Sequence, residues 1–587
     1  MNETIKEQSW LPLIVVAFAS FIIALDATFM NVSISQVVVD LNTDVSTIQS
    51  IMSFYTLITA AFMLLSAKLQ DIVGKKKLFL IGAALYGLGT FTAAISSSDT
   101  MLFIGWSVIE GIAGALMLPA TVSLISGTYS GEKRTVALAI VGVMGAVAAA
   151  IGPLFGGVMT TFLSWRYGFA CELIIVFIIL ILRNQIPDFA PTESKDDLDI
   201  TGAIISFVGL VLLVLGILSL SKDFTTSIGV IILGLIILAA FAYFEIRRKR
   251  NGKVPLLDMN LFKDRNLRVG TSVLLLSYLA MGGALFAVSL FLQSVLELNA
   301  FNTGLTTLPM TIGLLIFAII APRLTVKLSH KTIMAIGCVM AIIGCLMLSY
   351  QFRLDTTILT LMPGLFVLGA GLGFIMALCT DISLSNIPAE SQNNASGINS
   401  TGQSLGESMG TAVIGIILIL GVMGGISTAV DIYAPEHSGD QQFQQDVYDY
   451  FQKVGSIDEL KSDSTVMEIT NTIVQETMAF VMIVTAILMA IVLILILRLK
   501  NNKIQKQWEF ISHLLFLFLI WKKVKVRKAF DAFLFYWNFY WFTCCVVCCI
   551  TSITYNSIIN AFLGQFKIKW CLAFVICFSI ICFSVNF

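Results

Sequence analysis

VGVMGAVAAAIGPLFGGVMTTFLSWR, residues 141–166, is the stretch that decides the fold. It lies in an apolar run from Val136 to Leu163. A run of this length predicts a membrane-spanning helix, because about 20 apolar residues cross the hydrocarbon core. Its glycines allow a neighbouring helix to approach the backbone, and Pro153 removes one amide donor and bends the helix. The stretch therefore predicts a helix that packs closely and can flex. Ordinary small-residue packing, with no role in motion, is the alternative that the spacing alone favours.

The whole chain has the composition of an integral membrane protein. It is 57% hydrophobic and only 12% charged, with a mean hydropathy of +0.91. The net charge is zero, so nothing in the charge balance indicates a nucleic acid partner. Leu11 to Ile34 is too long for a cleaved signal peptide. Seven of the eleven cysteines follow position 543, so the remainder of the chain has no disulfide framework.

Apolar segments long enough to cross a bilayer predict an all-α membrane fold. Before position 500 they number fourteen, near residues 11–34, 46–67, 78–97, 100–127, 135–162, 167–186, 199–221, 226–246, 270–293, 302–322, 332–351, 356–384, 397–424 and 475–497.

Lysine and arginine are distributed unequally between the two sides of this predicted arrangement. The side that holds the N-terminus carries most of them, and the other side carries only Arg166, Lys222, Arg353, Lys453 and Lys461. Because basic loops stay in the cytoplasm, we expect the N-terminus to lie inside.

A faint internal repeat suggests two halves. Asp40-Leu41-Asn42 after predicted helix 1 is echoed by Glu297-Leu298-Asn299 after predicted helix 9. Duplicated halves are common in secondary transporters, which hold their substrate near the midplane between them. The predicted organisation is a six-helix half at 1–190, two inserted helices at 191–255, a second half at 256–503 with an acidic outer loop at 425–474, and a hydrophobic extension at 504–587.

Two motifs carry a family resemblance. Gly152-Pro153-Leu154-Phe155-Gly156-Gly157 resembles the antiporter motif on the fifth helix of the major facilitator superfamily, and Gly145 precedes it in the same small-residue stretch. Trp165-Arg166-Tyr167 resembles the exit from that helix in the 14-helix drug:proton antiporter family. The resemblance covers roughly residues 10–500 and implies two six-helix halves with two helices inserted between them.

The segment between predicted helices 2 and 3 resembles the signature that this superfamily carries there. Asp71, Gly74 and Lys75 match it, whereas Ala67 and Ile72 stand where Gly and Arg are usual. The carboxylate can hold basic groups or a helix N-terminus in one conformation and release them in the other. A plain positive-inside loop explains the lysines but not the Asp-x-x-Gly spacing.

Predicted helix 13 contains a second small-residue pattern. Gly402, Gly406 and Gly410 recur every four residues, as on a helix face built for close contact. Helices 5 and 13 are then comparable flexible elements of the two halves.

Several acids lie within the predicted spans, where a charge costs about 2.5–3.5 kcal/mol on insertion scales. Asp26 lies in Leu25–Val32, which resembles the first-helix motif of the family. On predicted helix 4, Ser107 and Glu110 stand where the family usually has Arg and Gln. We expect proton coupling, or binding of a substrate cation, at Asp26, Glu110, Glu172, Glu407 and Asp381, since burial without a counter-charge favours the protonated form. The alternative for each acid alone is a protonated group hydrogen-bonded in a packed interface.

Signatures of other functions are absent from the sequence. It has no Gly-x4-Gly-Lys-[Ser/Thr] phosphate loop, and none of its three histidines is placed for a catalytic triad or a metal cluster. Cys544-Cys545-Val546-Val547-Cys548-Cys549 has no second ligand pair at zinc spacing, so we expect no metal and no catalytic residues.

The resemblance implies a secondary transporter that exports hydrophobic, cationic small molecules such as drugs and dyes in exchange for protons. The expected partners are the bilayer, the substrate and protons. A monomer in the cytoplasmic membrane, with the proton gradient as energy source and no cofactor, is expected. An exporter of a dedicated metabolite, lipid or peptide on the same fold is the alternative. A channel or a non-transporting sensor is a further alternative, but no repeated pore loop is visible.

The extension at 504–587 is predicted to be dispensable. A stop codon after Lys506 leaves all fourteen predicted spans and their basic anchors in place. We expect dye export by the truncated chain to match the full-length chain at equal membrane abundance. Loss of export at normal expression would contradict the predicted domain boundary.

Overall fold

In a computed structural model, the chain is helical through nearly all of the residues that the structure describes. These are residues 9–129, 131–191, 199–220, 224–325, 328–387, 391–440, 442–445, 447 and 464–499, and no strand occurs among them. The predicted extension at 504–587 lies outside the described residues, as do the middle of the predicted acidic loop and residues 192–198.

Within the described residues, fourteen long helices follow the predicted spans. They are α1 (Leu11–Val32), α2 (Val45–Val73), α3 (Lys75–Ala94), α4 (Asp99–Thr128), α5 (Gly131–Phe162), α6 (Arg166–Ile181), α7 (Ile200–Leu218), α8 (Phe224–Arg250), α9 (Arg265–Ser294), α10 (Ala300–Leu324), α11 (His330–Ser349), α12 (Ile358–Leu384), α13 (Gln392–Tyr433) and α14 (Ser464–Leu497). Thirteen of these helices are long and apolar enough to cross a membrane, and α5 contributes the shorter apolar segment Ile151–Phe162.

The junction between α2 and α3 is tighter than predicted. Asp71 lies in the last turn of α2 rather than beyond its end, and Lys75 already begins α3. Gly74 alone makes the reversal, with a φ of +100° that favours glycine. The apolar pattern placed the end of α2 too early and the start of α3 too late, because Lys, Gln and Leu continue a helix beyond the hydrocarbon core.

The predicted acidic loop is helical at both of its ends. Helix α13 continues to Tyr433, and α14 begins at Ser464. With 42 residues, α13 is roughly 60 Å long, about twice the hydrocarbon thickness. Gly425 packs against the backbone of Ile473, and Ile426 and Val430 lie in a small apolar cluster with it. This local packing stabilises the helices beyond the length that hydropathy indicates.

Glycine contacts set the spacing of the helices that were predicted to flex. A β-carbon on Gly152 or Gly156 would overlap α1, at Thr28 and the carbonyl oxygen of Phe29 respectively. One on Gly157 would lie 2.6 Å from the carbonyl oxygen of Ala300 on α10. Helix α5 therefore packs on α1 of its own half and on α10 of the other half.

The ladder on α13 has a matching role in the second half. Gly402, Gly406 and Gly410 pack on Thr271, Leu275 and Leu279 of α9. The sequence therefore predicted correctly that this face makes a close helix contact. Gly145 is different, because no atom of the described residues lies within 4 Å of its β-carbon position.

The inserted helices lie against both halves. Helices α7 and α8 pack on each other, and α7 contacts α2 and α13. Phe207 of α7 meets Phe62 of α2 edge to face, with ring centroids 5.3 Å apart. The fold is thus two six-helix halves with a helix pair beside their interface.

The two membrane sides carry different residues. The side that holds Ser9, Lys75 and the arginine-rich end of α8 is called the basic side, and the opposite side is called the far side. The far side holds Asp40, which accepts hydrogen bonds from Trp165 Nε1 at 2.9 Å and Arg166 Nη1 at 3.2 Å.

Hydrogen bonds join the two halves towards the far side. Gln293 of α9 accepts from the Ser35 amide at 3.1 Å and donates to the Asn31 carbonyl at 3.4 Å. The Phe301 amide at the start of α10 donates to Thr161 Oγ1 at 2.9 Å. These bonds close the space between the halves on the far side.

The glycine contacts lead to a matched pair of substitutions. Gly156→Ala forces α5 away from the Phe29 backbone, and overpacking of this kind costs about 1–3 kcal/mol. Gly145→Ala meets open space and is the control. We expect a lower apparent melting temperature in detergent for Gly156→Ala alone. Equal melting temperatures for the two variants would show that the α1–α5 contact does not require glycine.

Candidate functional site

Three of the predicted acids meet inside the first half. Asp26 of α1, Glu110 of α4 and Glu172 of α6 are each 0% exposed. One carboxylate oxygen from each residue lies within 4.8 Å of the other two. The three side chains therefore form one acidic cluster, although they are up to 146 positions apart, from 26 to 172.

Close helix crossings place Glu110 in this cluster. The segment Phe103–Glu110 of α4 is a π-helical stretch, a feature that is frequent at functional sites. Gly89 of α3 packs so closely that its β-carbon would lie 2.7 Å from the Gly105 carbonyl oxygen and 2.8 Å from the Glu110 amide. On the other side of α4, Gly111 packs on the carbonyl oxygen of Tyr55. These contacts fix where the Glu110 side chain leaves the helix.

The groups that surround the acidic cluster are neutral donors. Trp106 Nε1 donates to Asp26 Oδ2 at 2.8 Å. Tyr55 faces Asp26, and Tyr86 and Thr90 face Glu110. Because these residues carry no positive charge, they cannot neutralise three carboxylates.

Most of the oxygens in the cluster are left without a hydrogen bond. Among the described residues, no partner of good geometry is present for Asp26 Oδ1, for either oxygen of Glu110 or Glu172, or for the hydroxyls of Tyr55 and Thr90. Burying a bare carboxylate in this way is costly. The cluster is therefore chemically suited to bind protons, or a cation, that supply the missing charge.

A narrow cavity lies beside the cluster, between the two halves. Helices α1, α2 and α4 contribute one wall and α9 and α13 the other. The described residues that line it are Ala27, Thr28, Asn31, Met52, Tyr55, Thr56, Trp106, Gly282, Leu285, Glu407 and Thr411. Beside the cavity the walls are joined by Ser53 and Thr411, whose hydroxyls are 2.6 Å apart, and by Ser408 Oγ, which donates to the Ser53 carbonyl at 2.7 Å.

The structure separates the five predicted acids into three places. Asp26, Glu110 and Glu172 form the acidic cluster, and Glu407 lies on the cavity wall of the second half. Asp381 joins neither, because it lies near the basic-side end of α12 with a side chain that is 75% exposed. There it contacts His330 Nε2 at 3.0 Å.

Sequence reasoning missed the aromatic residues of the site. Trp106 and Tyr55 stack with ring centroids 5.4 Å apart and connect the cavity wall to Asp26. One signal was present in the sequence, since Trp106 is four positions before Glu110 and so faces the same way from a helix. Tyr55 gave no such signal, because it reaches the site from another helix.

Comparison with known proteins identifies the fold. A family model for the Major Facilitator Superfamily matches residues 16–411. The chain belongs to the major facilitator superfamily. It is 30% identical to the quinolone resistance protein NorB of Staphylococcus aureus, over 67% of this chain and 83% of that protein. It is 25% identical to the multidrug efflux pump LfrA of Mycolicibacterium smegmatis, over 74% and 85% respectively.

A solved structure agrees in fold. The crystal structure of the peptide transporter POT in complex with sulfate matches with a TM-score of 0.52 and 16% identity, over 69% of this chain and 88% of that chain. The family and its relatives make this chain a multi-pass membrane transporter rather than an enzyme.

Proposed function

We propose that this transporter exports hydrophobic, cationic small molecules from the cytoplasm in exchange for protons. The observation that carries the proposal is the acidic cluster of Asp26, Glu110 and Glu172, buried without a positive partner beside an aromatic-lined cavity. The names of the relatives, a multidrug efflux pump and a quinolone resistance protein, support export of drug-like molecules.

The proposed orientation follows from the basic residues. With the basic side in the cytoplasm, the bonds from Gln293 to α1 and from Phe301 to Thr161 lie on the outer side. The described conformation is then closed to the outside. A substrate would enter from the cytoplasm and leave after the outer contacts separate.

Protons would drive the exchange by changing the charge of the cluster. In the deprotonated state the buried carboxylates repel one another, and protons from outside remove that repulsion. A ligand shifts a conformational equilibrium only by its different affinity for the two states. Protons bound to the cluster would favour one conformation, and substrate in the cavity the other.

No further component is required by this mechanism. One chain contains both halves and the cavity between them, so a monomer is sufficient. The proton gradient would be the energy source, and each charge that crosses 100 mV gains roughly 2.3 kcal/mol. The mechanism therefore uses no bound cofactor.

The energy source can be tested in inverted vesicles across whose membrane a pH gradient is imposed. We expect uptake of ethidium to start with the gradient, to stop when a proton uncoupler is added, and to proceed without ATP. A sodium gradient of equal size is the control, because the cluster could also hold a cation. Uptake that ignores the uncoupler, or that follows sodium alone, would exclude protons as the coupling ion.

The roles of the acids can be separated by substitution. We expect Asp26→Asn to abolish proton-driven uptake, because Asp26 is the member of the cluster that is hydrogen-bonded to the cavity wall. Glu110→Gln leaves Glu172 to hold a proton, so uptake should fall by roughly tenfold or less. Asp381→Asn is the matched control and should transport normally, since Asp381 is exposed. Full coupled transport by Asp26→Asn at matched protein level would place the coupling elsewhere.

A further inference from the structure

Among the described residues that line the cavity, Glu407 is the one acidic residue. Asp26, Glu110 and Glu172 do not line it, because the stacked rings of Trp106 and Tyr55 lie on the wall at that point. A molecule in the cavity therefore meets the carboxylate of Glu407 and the ring faces before it meets any acid of the cluster.

We propose that substrate and protons occupy separate carboxyl sites, with the substrate cation at Glu407, protons at the acidic cluster, and Trp106 as the positioning residue that connects them. The inference rests on the proposed exchange of cations for protons. It assigns the substrate cation and the protons to two sites that influence one another.

The walls of the cavity define the chemical class of the substrate. Tyr55 and Trp106 stack nearly parallel, with an angle of 22° between their planes. Flat rings and cations both bind to such faces. Met52 and Leu285 add apolar surface, while Glu407 on the opposite wall supplies one negative charge. The chemistry of the lining suits a flat aromatic molecule with one positive group, although the cavity of about 20 Å³ in the described conformation must widen to admit it.

The position of Glu407 is fixed by the second half. A β-carbon on Gly282 of α9 would lie 3.6 Å from Glu407 Cγ and 3.3 Å from its carbonyl oxygen. Glu407 follows Gly406, which packs on the Leu275 backbone. Glu407 should therefore move together with α9 and α13 relative to the acidic cluster of the first half.

Trp106 is the direct link between the two sites. Its ring forms part of the cavity wall, and its Nε1 donates to Asp26 Oδ2 at 2.8 Å. A hydrogen bond from a neutral donor favours the charged carboxylate over the protonated group. A substrate that presses on the ring changes this bond and so changes how readily Asp26 takes up a proton.

Other titratable groups surround the two sites. Those that face the cluster or Glu407 from the neighbouring helices are Tyr55, Tyr86, Cys171 and Tyr278. Among these described neighbours, the phenols and the thiol supply no positive charge. The effect of the Trp106 hydrogen bond on Asp26 is therefore not obscured by a nearby cation.

The first arm of the test measures binding, which needs no proton gradient. Ethidium is titrated into the purified full-length protein in detergent, and fluorescence reports the dissociation constant. We expect Glu407→Gln to weaken binding about tenfold, as for loss of a hydrogen-bonded charge. Asp26→Asn should change it by less than about threefold. Glu476→Gln on α14, an exposed site, is the control. The opposite result for Glu407 and Asp26 would overturn the separation of sites.

The second arm measures the pH profile of ethidium uptake in inverted vesicles. Trp106→Phe keeps the ring but loses the N–H, so the pH of half-maximal uptake should rise by about one unit. Trp165→Phe is a matched control, because Trp165 is also buried and donates to an aspartate, Asp40, at 2.9 Å. An unchanged profile in Trp106→Phe would remove the link. If that variant is not monodisperse, the binding arm alone decides whether the sites are separate.

The neutral dye Nile red separates failure of this inference from failure of the proposed function. Glu407→Gln should still take up Nile red under a proton gradient, within about twofold of the wild type. If the uncoupler leaves wild-type uptake of both dyes unchanged, the proposed exchange is wrong, whatever the binding measurement shows. If uptake is coupled but Glu407→Gln loses both dyes equally, Glu407 does not recognise charge.

Discussion

A carboxylate inside a helix bundle must find a positive charge or a proton, and this requirement governs the first half of the transporter. Asp26, Glu110 and Glu172 come from three helices and share one buried volume. The surrounding donors, Trp106, Tyr55, Tyr86 and Thr90, are all neutral. The energetic cost of three bare charges therefore makes the charge state of the cluster sensitive to any proton that reaches it.

Close packing of helices within each half depends on a different physical feature, the absence of side chains. At Gly156 and Gly406 one helix backbone lies directly on another, against Phe29 of α1 and Leu275 of α9. Without side chains between them, the two backbones approach one another closely. Helix α5 also packs on α10 of the other half through Gly157. A change in the tilt of α5 would therefore change its contact with α10.

The cavity combines these two features. Its first wall is fixed to the acidic cluster through Trp106, and its second wall carries Glu407 on a helix that packs by glycine contacts. A change in the separation of the halves alters the distance between the two carboxyl sites without breaking either half. The polar contacts of Ser53 with Ser408 and Thr411 hold the walls together in the described conformation. Because these contacts are hydrogen bonds made by hydroxyl groups, water can replace them more readily than it can replace contacts between apolar side chains.

The sequence by itself determined the membrane-spanning elements, the family and the identity of the candidate acids. Each of these depends on local information: runs of apolar residues, the text of a motif such as Gly152–Gly157, or an acid inside a span. Hydropathy also misjudged local details, since Asp71 lies within α2 and α13 runs to Tyr433. The tertiary structure alone decided which acids meet. Asp26, Glu110 and Glu172 come together while Asp381 stays exposed, because helix rotation and crossing are set by contacts between distant segments. For the same reason only the fold revealed that Tyr55 and Trp106 stand between the cluster and the cavity.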